Sequence, residues 1–498
     1  MTDHSTRTGA AGTAMGEADQ RPPRPWLVLS AMAAAVAIVT LDTTILNVAI
    51  PTIRRDLHTT LASLQWVIAG YSLTLGSLLT IGGRLGDLFG ARRTFITGAL
   101  VFAGGSLIAS LATNTPTMVA GEALIEGVGA SLLFPASLAT LSSVFGGRAR
   151  AKAFAVWGGV AGASAALGPV IGGWLTSDYS WRWGFRINVV VAPLAALAAL
   201  AALPRDAPRH RHPRLDFEGA GLLAAGLFFV VFALTEGPNH GWLANRGAGL
   251  AMAGVRIWSR SWPVSPVVAA ALLAVVALGG FVMREATKQP RTDGLVDLRL
   301  FANRGFTGGL VTAATVVMAQ AGTMFVLAVF LQSTHRLQPV AAGRWLLPVG
   351  LAVLMGAQLG GRGAAKVGPL IVVRAGILIQ LGGLVACAAI LQTDIGWLPL
   401  TGALALFGLG AGMASSQLTN VILSETPRDQ AGSASGVATT NNSVAAALGV
   451  TILGAVLRLG TLTDAGSARW ALLAAVALLA AGSVASFAIP SAGGGAVT

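Results

Sequence analysis

Three carboxylic acids stand where such groups are rarely tolerated. Asp42 lies inside the apolar run 26–50, and Glu122 and Glu126 lie inside the run 117–145. A charge at the centre of an apolar membrane helix costs at least about 2.5–3.5 kcal/mol. No Lys or Arg falls at the same depth to offset it. A carboxyl group cut off from water can bind and release a proton near neutral pH, so the chemistry these residues suit is proton movement. Glu122 and Glu126 are four apart and share a helix face; Glu126 lies deeper by about 6 Å, at about 1.5 Å per residue. Glu122, nearer the outer end, is expected to be wetted and to serve packing. For each acid the plainer alternative is a buried group hydrogen-bonded to a neighbouring helix.

Other polar groups are spaced to line a cavity. Gln65, Trp66 and Tyr71 fall in the run 61–81, and Asn441 and Asn442 in the run 432–457. Each serves equally as a contact between helices. Glycines form a further constellation: Gly158, Gly159 and Gly162, then Gly168-Pro169-Val170-Ile171-Gly172-Gly173. Small residues at a spacing of four let helices approach closely, and Pro169 bends its helix by removing a backbone hydrogen bond. The segment Gly83-Arg84-Leu85-Gly86-Asp87-Leu88-Phe89-Gly90-Ala91-Arg92-Arg93 reads as a tight turn. There Asp87 can cap a helix N-terminus, and Arg92 and Arg93 hold the turn at the membrane surface.

The elements that must position these residues are membrane helices. Of 498 residues, 54% are hydrophobic and 11% charged, whereas a soluble domain carries roughly 25% charge. A spanning helix needs about 20 apolar residues. By that measure there are about fourteen: 26–50, 61–81, 94–111, 117–145, 153–175, 187–203, 219–234, 266–283, 308–331, 345–361, 375–391, 397–423, 432–457 and 470–489. The runs are apolar on every face, unlike the alternating strands of a membrane barrel, and backbone in lipid must satisfy its own hydrogen bonds.

Charge fixes the orientation. The formal net charge is +13. Most of the basic groups fall in loops on one side: Arg84, Arg92 and Arg93; Arg148, Arg150 and Lys152; Arg205, Arg209, Arg211 and Arg214; Arg284 to Arg304; Arg362, Lys366 and Arg374. That side is the cytoplasm, which places both termini there. Arg54 and Arg55, and Arg246, Arg256 and Arg260 in the loop 235–265, fall outside. Basic residues confined to short loops between spans do not suggest nucleic acid as a partner; the partner is the lipid bilayer.

The domain plan is a disordered tail (1–25) without the plan of a cleaved signal peptide, a six-helix bundle (26–203), two inserted linker helices with their loops (204–305), a second six-helix bundle (306–489) and a short tail (490–498). A faint repeat supports it. Gly83-Arg84 is followed after five residues by Gly90, and Gly361-Arg362 after five by Gly368. Repeated halves around a midplane site are the plan of many secondary transporters.

Soluble-enzyme motifs are absent, and without a phosphate-binding loop direct ATP drive is not expected. His210 and His212 share a loop, but no Cys or acidic cluster completes a metal site there. The single cysteine, Cys387, lies in an apolar run and has no disulfide partner. No metal and no cofactor is expected.

Four segments resemble the major facilitator superfamily, in particular its fourteen-helix drug:proton antiporter branch (the EmrB/QacA type). They are Leu41-Asp42-Thr43-Thr44-Ile45-Leu46-Asn47-Val48-Ala49-Ile50-Pro51, the segment Gly83 to Arg93, Gly162 with Gly168-Pro169 and Gly172-Gly173, and Ser180-Trp181-Arg182-Trp183 with Phe185 and Asn188. All lie in the first 190 residues.

The resemblance implies the all-helical facilitator fold in a 6+2+6 arrangement, and proton-coupled efflux of small hydrophobic or cationic compounds by alternating access. The nearest rival on the same scaffold is a proton-coupled importer or metabolite transporter. It implies a multi-pass protein of the bacterial plasma membrane, active as a monomer, driven by the proton gradient, and not an enzyme. It assigns proton coupling to Asp42, and a conformational latch to Gly83, Asp87 and Gly90 with Arg92 or Arg93. It makes the helix of Gly162 to Gly173 the hinge and seal between halves. One departure stands out. The family usually has an Arg where this sequence has Ala123; its absence gives Glu126 added weight in coupling, Glu122 stays a further coupling candidate, and the acidic helix favours a cationic substrate.

Overall fold

A computed structural model describes residues 24–145, 147–203, 216–246, 250–252, 255–287, 298–391, 396–424, 431–459 and 465–489. The expected N-terminal tail up to residue 23, the expected C-terminal tail and the whole basic stretch 204–215 lie outside the described residues. Fourteen helices are long and apolar enough to cross a membrane: α1 (Pro25–Asp56), α2 (Leu61–Phe89), α3 (Ala91–Ser110), α4 (Thr115–Val144), α5 (Gly147–Asp178), α6 (Arg182–Ala202), α7 (Phe217–His240), α8 (Pro266–Thr287), α9 (Arg304–Ser333), α10 (Pro339–Val367), α11 (Pro369–Ile390), α12 (Trp397–Ser424), α13 (Ala431–Leu457) and α14 (Ala465–Phe487). The chain is a multi-pass membrane protein with an all-helical fold.

Local chemistry sets several starts. Thr60 accepts the Ser63 N–H, Asn114 the Thr117 N–H and Asp216 the Gly219 N–H, and Asn303 accepts from Gly305 and Phe306. Each satisfies donors that the first helical turn leaves open. The expected turn over 83–93 is shorter than its glycines suggest. Helix α2 runs through Gly83, Gly86 and Asp87 to Phe89, and Gly90 alone makes the turn, at φ 93° and ψ 148°. A side chain is strained there and glycine is not. Gly90 holds the N-cap position of α3, and the backbone of Asp87 lies within α2. Gly368 repeats the conformation between α10 and α11, at φ 89° and ψ 152°. The weak sequence repeat is therefore a repeat of backbone geometry.

Helices α1 to α6 pack together, with α3 against α6 and α4 and α1 against α5 and α6. In the second half α11 and α10 pack on α12, and α9 on α13 and α14. The halves meet along two seams, α5 with α10 and α2 with α13. Helices α7 and α8 pair with each other, and α7 lies against α2 and α13. At the inner end of the pair Arg284 reaches Asp216 at 3.2 Å and also pairs with Glu218. At the outer end Trp66 of α2 donates to Glu236 (3.2 Å), and Arg458 donates to the Thr235 carbonyl (2.7 Å). The connection between α7 and α8 carries a small antiparallel hairpin, β1 (Leu250–Met252) with β2 (Val255–Trp258).

Candidate functional site: an acid cluster behind a cavity wall

Asp42 sits midway along α1, and Glu122 and Glu126 sit in α4. Helix α4 is α-helical at both ends, but Val119–Glu126 forms a π-helical segment. Such widened turns are frequent at functional sites. The segment is held closely: a Cβ on Gly105 of α3 would lie 2.7 Å from the Gly121 carbonyl oxygen, and one on Gly70 of α2 would lie 2.8 Å from Ala123 Cβ. Ala123 itself is 1% exposed, so the long arginine familiar at this position has no room here in this conformation.

The three acids converge. One oxygen from each of Asp42, Glu122 and Glu126 lies within 4.8 Å of the other two. Asp42 is 3% exposed and both glutamates 0%. The expectation that Glu122 is wetted is corrected: the close crossing of α3 over the π segment seals it. Asn188 of α6 joins the group, its Nδ2 donating to Asp42 Oδ1 at 2.8 Å and to Glu126 Oε1 at 3.0 Å. Asp42 Oδ2, both Glu122 oxygens, Glu126 Oε2 and the Tyr71 hydroxyl are buried without a partner. Sequence reading named Asn188 only within a motif and missed its place between two acids. The only available signal was a lone Asn in the apolar helix 182–202.

The segment before Asn188 anchors the outer end. Trp181 Nε1 donates to Asp56 at 2.9 Å, Arg182 lies 3.7 Å from Asp56, and Arg182 also donates to the Ala112 carbonyl at 3.1 Å. The start of α6 is thereby tied to the ends of α1 and α3.

A cavity of about 340 Å³ lies between the halves. Thr43, Thr44 and Asn47 of α1, Ile68 and Ser72 of α2 and Gly162 of α5 form its first wall; α9, α10, α12 and α13 form the facing one. Helices α1 and α2 are therefore a partition. Asp42 and Tyr71 project to the buried side, and their chain neighbours Thr43 and Ser72 face the cavity.

The other sequence candidates lie elsewhere. Gln65 donates to the Val450 carbonyl across the α2–α13 seam (3.1 Å). The Trp66 ring packs on Phe228 and Phe232 of α7. Asn441 donates to the Leu310 carbonyl (3.1 Å), and Asn442 sits half-buried on the same helix. Neither these four nor Tyr71 lines this cavity. The Asp87 side chain lies outside the described residues, while Arg92 donates to the Leu200 carbonyl at 2.8 Å, tying α3 to α6.

The glycines of α5 fit between two partners. A Cβ on Gly168 would strike the Thr44 side chain and one on Gly172 would come 2.8 Å from Ile45 Cα, both on α1; one on Gly173 would lie 2.8 Å from Val340 Cα on α10. Gly343 and Gly350 of α10 meet the Pro169 and Ala166 backbone in the same way, and a Cβ on Gly162 would lie 2.7 Å from the Leu354 side chain. One turn further on, Gly158 and Gly159 meet nothing within 4 Å. Polar contacts agree: Val340 N–H to Ser177 (3.1 Å) and Gln332 to the Val48 carbonyl (2.8 Å) both close the same end. The halves touch at the end opposite the basic loops and part beyond Gly162.

Fourteen spans, two seamed halves and a cavity at the seam describe a transporter, and a family profile described as Major Facilitator Superfamily matches residues 32–450. The chain belongs to the major facilitator superfamily. Curated relatives are bacterial. A tetracenomycin C resistance and export protein of Streptomyces glaucescens is 33% identical over 94% of this chain and 82% of its own length. A probable actinorhodin transporter of Streptomyces coelicolor is 31% identical over 90% and 74%, and the puromycin resistance protein of Streptomyces alboniger 33% identical over 87% and 82%. Among solved structures, a bacterial homologue of the human lysosomal transporter Spinster superposes with a TM-score of 0.63 at 15% identity, covering 94% of this chain and 98% of that one. That likeness bears on the fold. This superfamily member is a membrane transporter and not an enzyme, its substrate is a small molecule, and transporters of the family generally work without a cofactor.

Proposed function

We propose that the chain is a drug-efflux antiporter of the plasma membrane, exporting small hydrophobic or cationic compounds such as antibiotics in exchange for protons. The observation that carries this reading is the position of Asp42, Glu122 and Glu126, buried together directly behind the cavity wall. Three like charges so close and so dry repel strongly, so the cluster holds protons in some states of the cycle. Asn188 donates to two of the acids and keeps them aligned.

In the cycle, the outward-facing protein takes protons from outside onto the cluster. Its neutral form permits helices α1–α6 to rock against α9–α14, with the glycine face of α5 as hinge and outer seal. Proton release inside restores charge behind the partition, cargo enters the cavity from the cytoplasm, and the protein turns outward again. One charge moving through about 100 mV supplies about 2.3 kcal/mol. Gly83, Asp87 and Gly90 with Arg92 and Arg93 act as the inner latch. Both cavity walls come from one chain, so a monomer suffices. The relatives named for antibiotic resistance and export support the direction.

The test is transport in liposomes carrying the purified protein. An imposed pH difference should drive cargo against its own gradient, and cargo flux should in turn move protons. Transport that proceeds equally well with no pH or voltage difference would overturn the antiport reading, and inward-only accumulation would make it an importer.

A further inference from the structure

Helix α7 lies across the seam where α2 of the first half meets α13 of the second, and it holds the two unequally. Against α2 the contact runs the length of the helix. Near the inner end Ala220 of α7 is buried with Ile81 of α2 and Phe281 of α8. Midway along α7, Val231 is buried with Ala69 of α2 and Ala447 of α13. Near the outer end the Trp66 ring packs on Phe228 at 5.4 Å and Phe232 at 6.0 Å, and its Nε1 donates to Glu236.

At the outer end of α13 the hold is polar and rests on Arg458. Its Nη2 donates to the Thr235 carbonyl of α7 at 2.7 Å, and its Nε to the Gly454 carbonyl at 3.3 Å. Its Nη1 is buried with no partner. The charge it faces is Glu236. That acid is fixed on the first-half side, by Trp66, by Asn239 at 3.0 Å and by His240 Nδ1 at 3.4 Å.

The seam is shut at this level. Gln65 of α2 donates to the Val450 carbonyl of α13, and a Cβ on Gly454 would overlap the Gln65 amide. Opening to the outside parts α2 from α13 here, and α7 cannot follow both. Apolar burial grows with the area covered, so the long face against α2 is the stronger hold. Arg458 is held by a charge-assisted bond that water replaces once the guanidinium is free.

Resting on the alternating cycle above, we propose that the inserted pair α7–α8 moves with the first half, and that Arg458 is the releasable clasp of the outer gate. It grips the Thr235 carbonyl and faces Glu236 when the gate is shut, and turns to external water when the gate opens. The inserted helices thereby set the balance between inward-open and outward-open states.

Labelling of a reporter cysteine tests this with no cargo and no gradient, so failure of the antiport reading leaves the result readable. In the full chain carrying Cys387→Ala, Ser177→Cys reports the outer end of the other seam to an impermeant maleimide added outside. Arg458→Gln should raise the labelling rate roughly tenfold. Glu236→Gln should raise it by a smaller factor, and carries the test if the Arg458 variant is lost on purification. Two bridged pairs, made without the reporter, test which half α7 follows. Thr235→Cys with Arg458→Cys, joined by a short bifunctional thiosulfonate, should stop cargo transport until the bridge is reduced. Ile81→Cys with Ala220→Cys, joined the same way, should leave transport within about twofold. Unchanged labelling in the Arg458 and Glu236 variants, transport that survives the first bridge, or transport lost on the second would each overturn the proposal.

Discussion

The two halves of the molecule share a backbone device and differ in charge. Gly90 and Gly368 close the second helix of each half with nearly the same dihedrals, and each N–H bonds back to the carbonyl four residues earlier at 3.0 Å. Yet the first half buries Asp42, Glu122 and Glu126, whereas the buried polar side chains described in α9 to α14 include Thr312, Thr323, Gln380, Gln417 and Thr451 and none that is charged. The π-helical segment is likewise confined to α4 among the described residues. A duplicated scaffold can thus carry unshared chemistry. In the export reading the first half manages protons, and the second supplies a neutral wall and a surface to rock against.

Five substitutions probe that division. The largest effect is expected for Asp42→Asn. It leaves the shape of the site and removes its charge, so gradient-driven transport in liposomes should fall to background while membrane insertion and gel-filtration behaviour stay normal. Parental transport would remove Asp42 from the proton path. Next is Gly343→Leu, which puts a side chain where the Pro169 backbone of the other half lies. The outer seal should fail to close, transport should be lost, and a cysteine at Ser177 should become reactive to an impermeant reagent from outside. Gly158→Ala, on the parted stretch of α5, should transport within about twofold of the parent, since the small-surface changes of such open sites cost little.

Asn188→Leu should have an intermediate effect. Two carboxylates lose a shared donor, a penalty of about 1–3 kcal/mol, which corresponds to roughly a tenfold drop in transport rate. The pH dependence of the rate should move as well, which a merely structural loss would not produce. The smallest effect belongs to the second half. Both side-chain polar atoms of Gln380 are buried without partners, so Gln380→Leu should leave transport within about twofold and hold or raise the thermal midpoint, because a buried orphan is removed. A large loss in that variant would place essential polar chemistry in the second half and break the contrast.

Much of this was legible in the sequence because the bilayer imposes a length and a composition on each span. Fourteen apolar runs gave fourteen helices, and the rare acids in them stood out by cost alone. The Gly-Arg-five-Gly repeat marked two turns correctly in position. It misjudged their extent, because glycine is common inside membrane helices, and only Gly90 and Gly368 take positive φ there.

What the sequence could not determine is which faces meet. A spacing of four placed Glu122 and Glu126 on one side of a helix, but their joining Asp42 depends on how α1, α3 and α4 cross. The burial of Glu122 depends on the glycine contact between α3 and the π segment, and the place of Asn188 on the angle of α6. The same holds for the cavity: Thr43, Asn47 and Ser72 face it, while Gln65 and Trp66 turn to seams with other helices. Periodicity along one helix fixes depth and relative azimuth. The absolute rotation of that helix against its neighbours is set by side-chain packing from distant parts of the chain, and only the tertiary structure decides it.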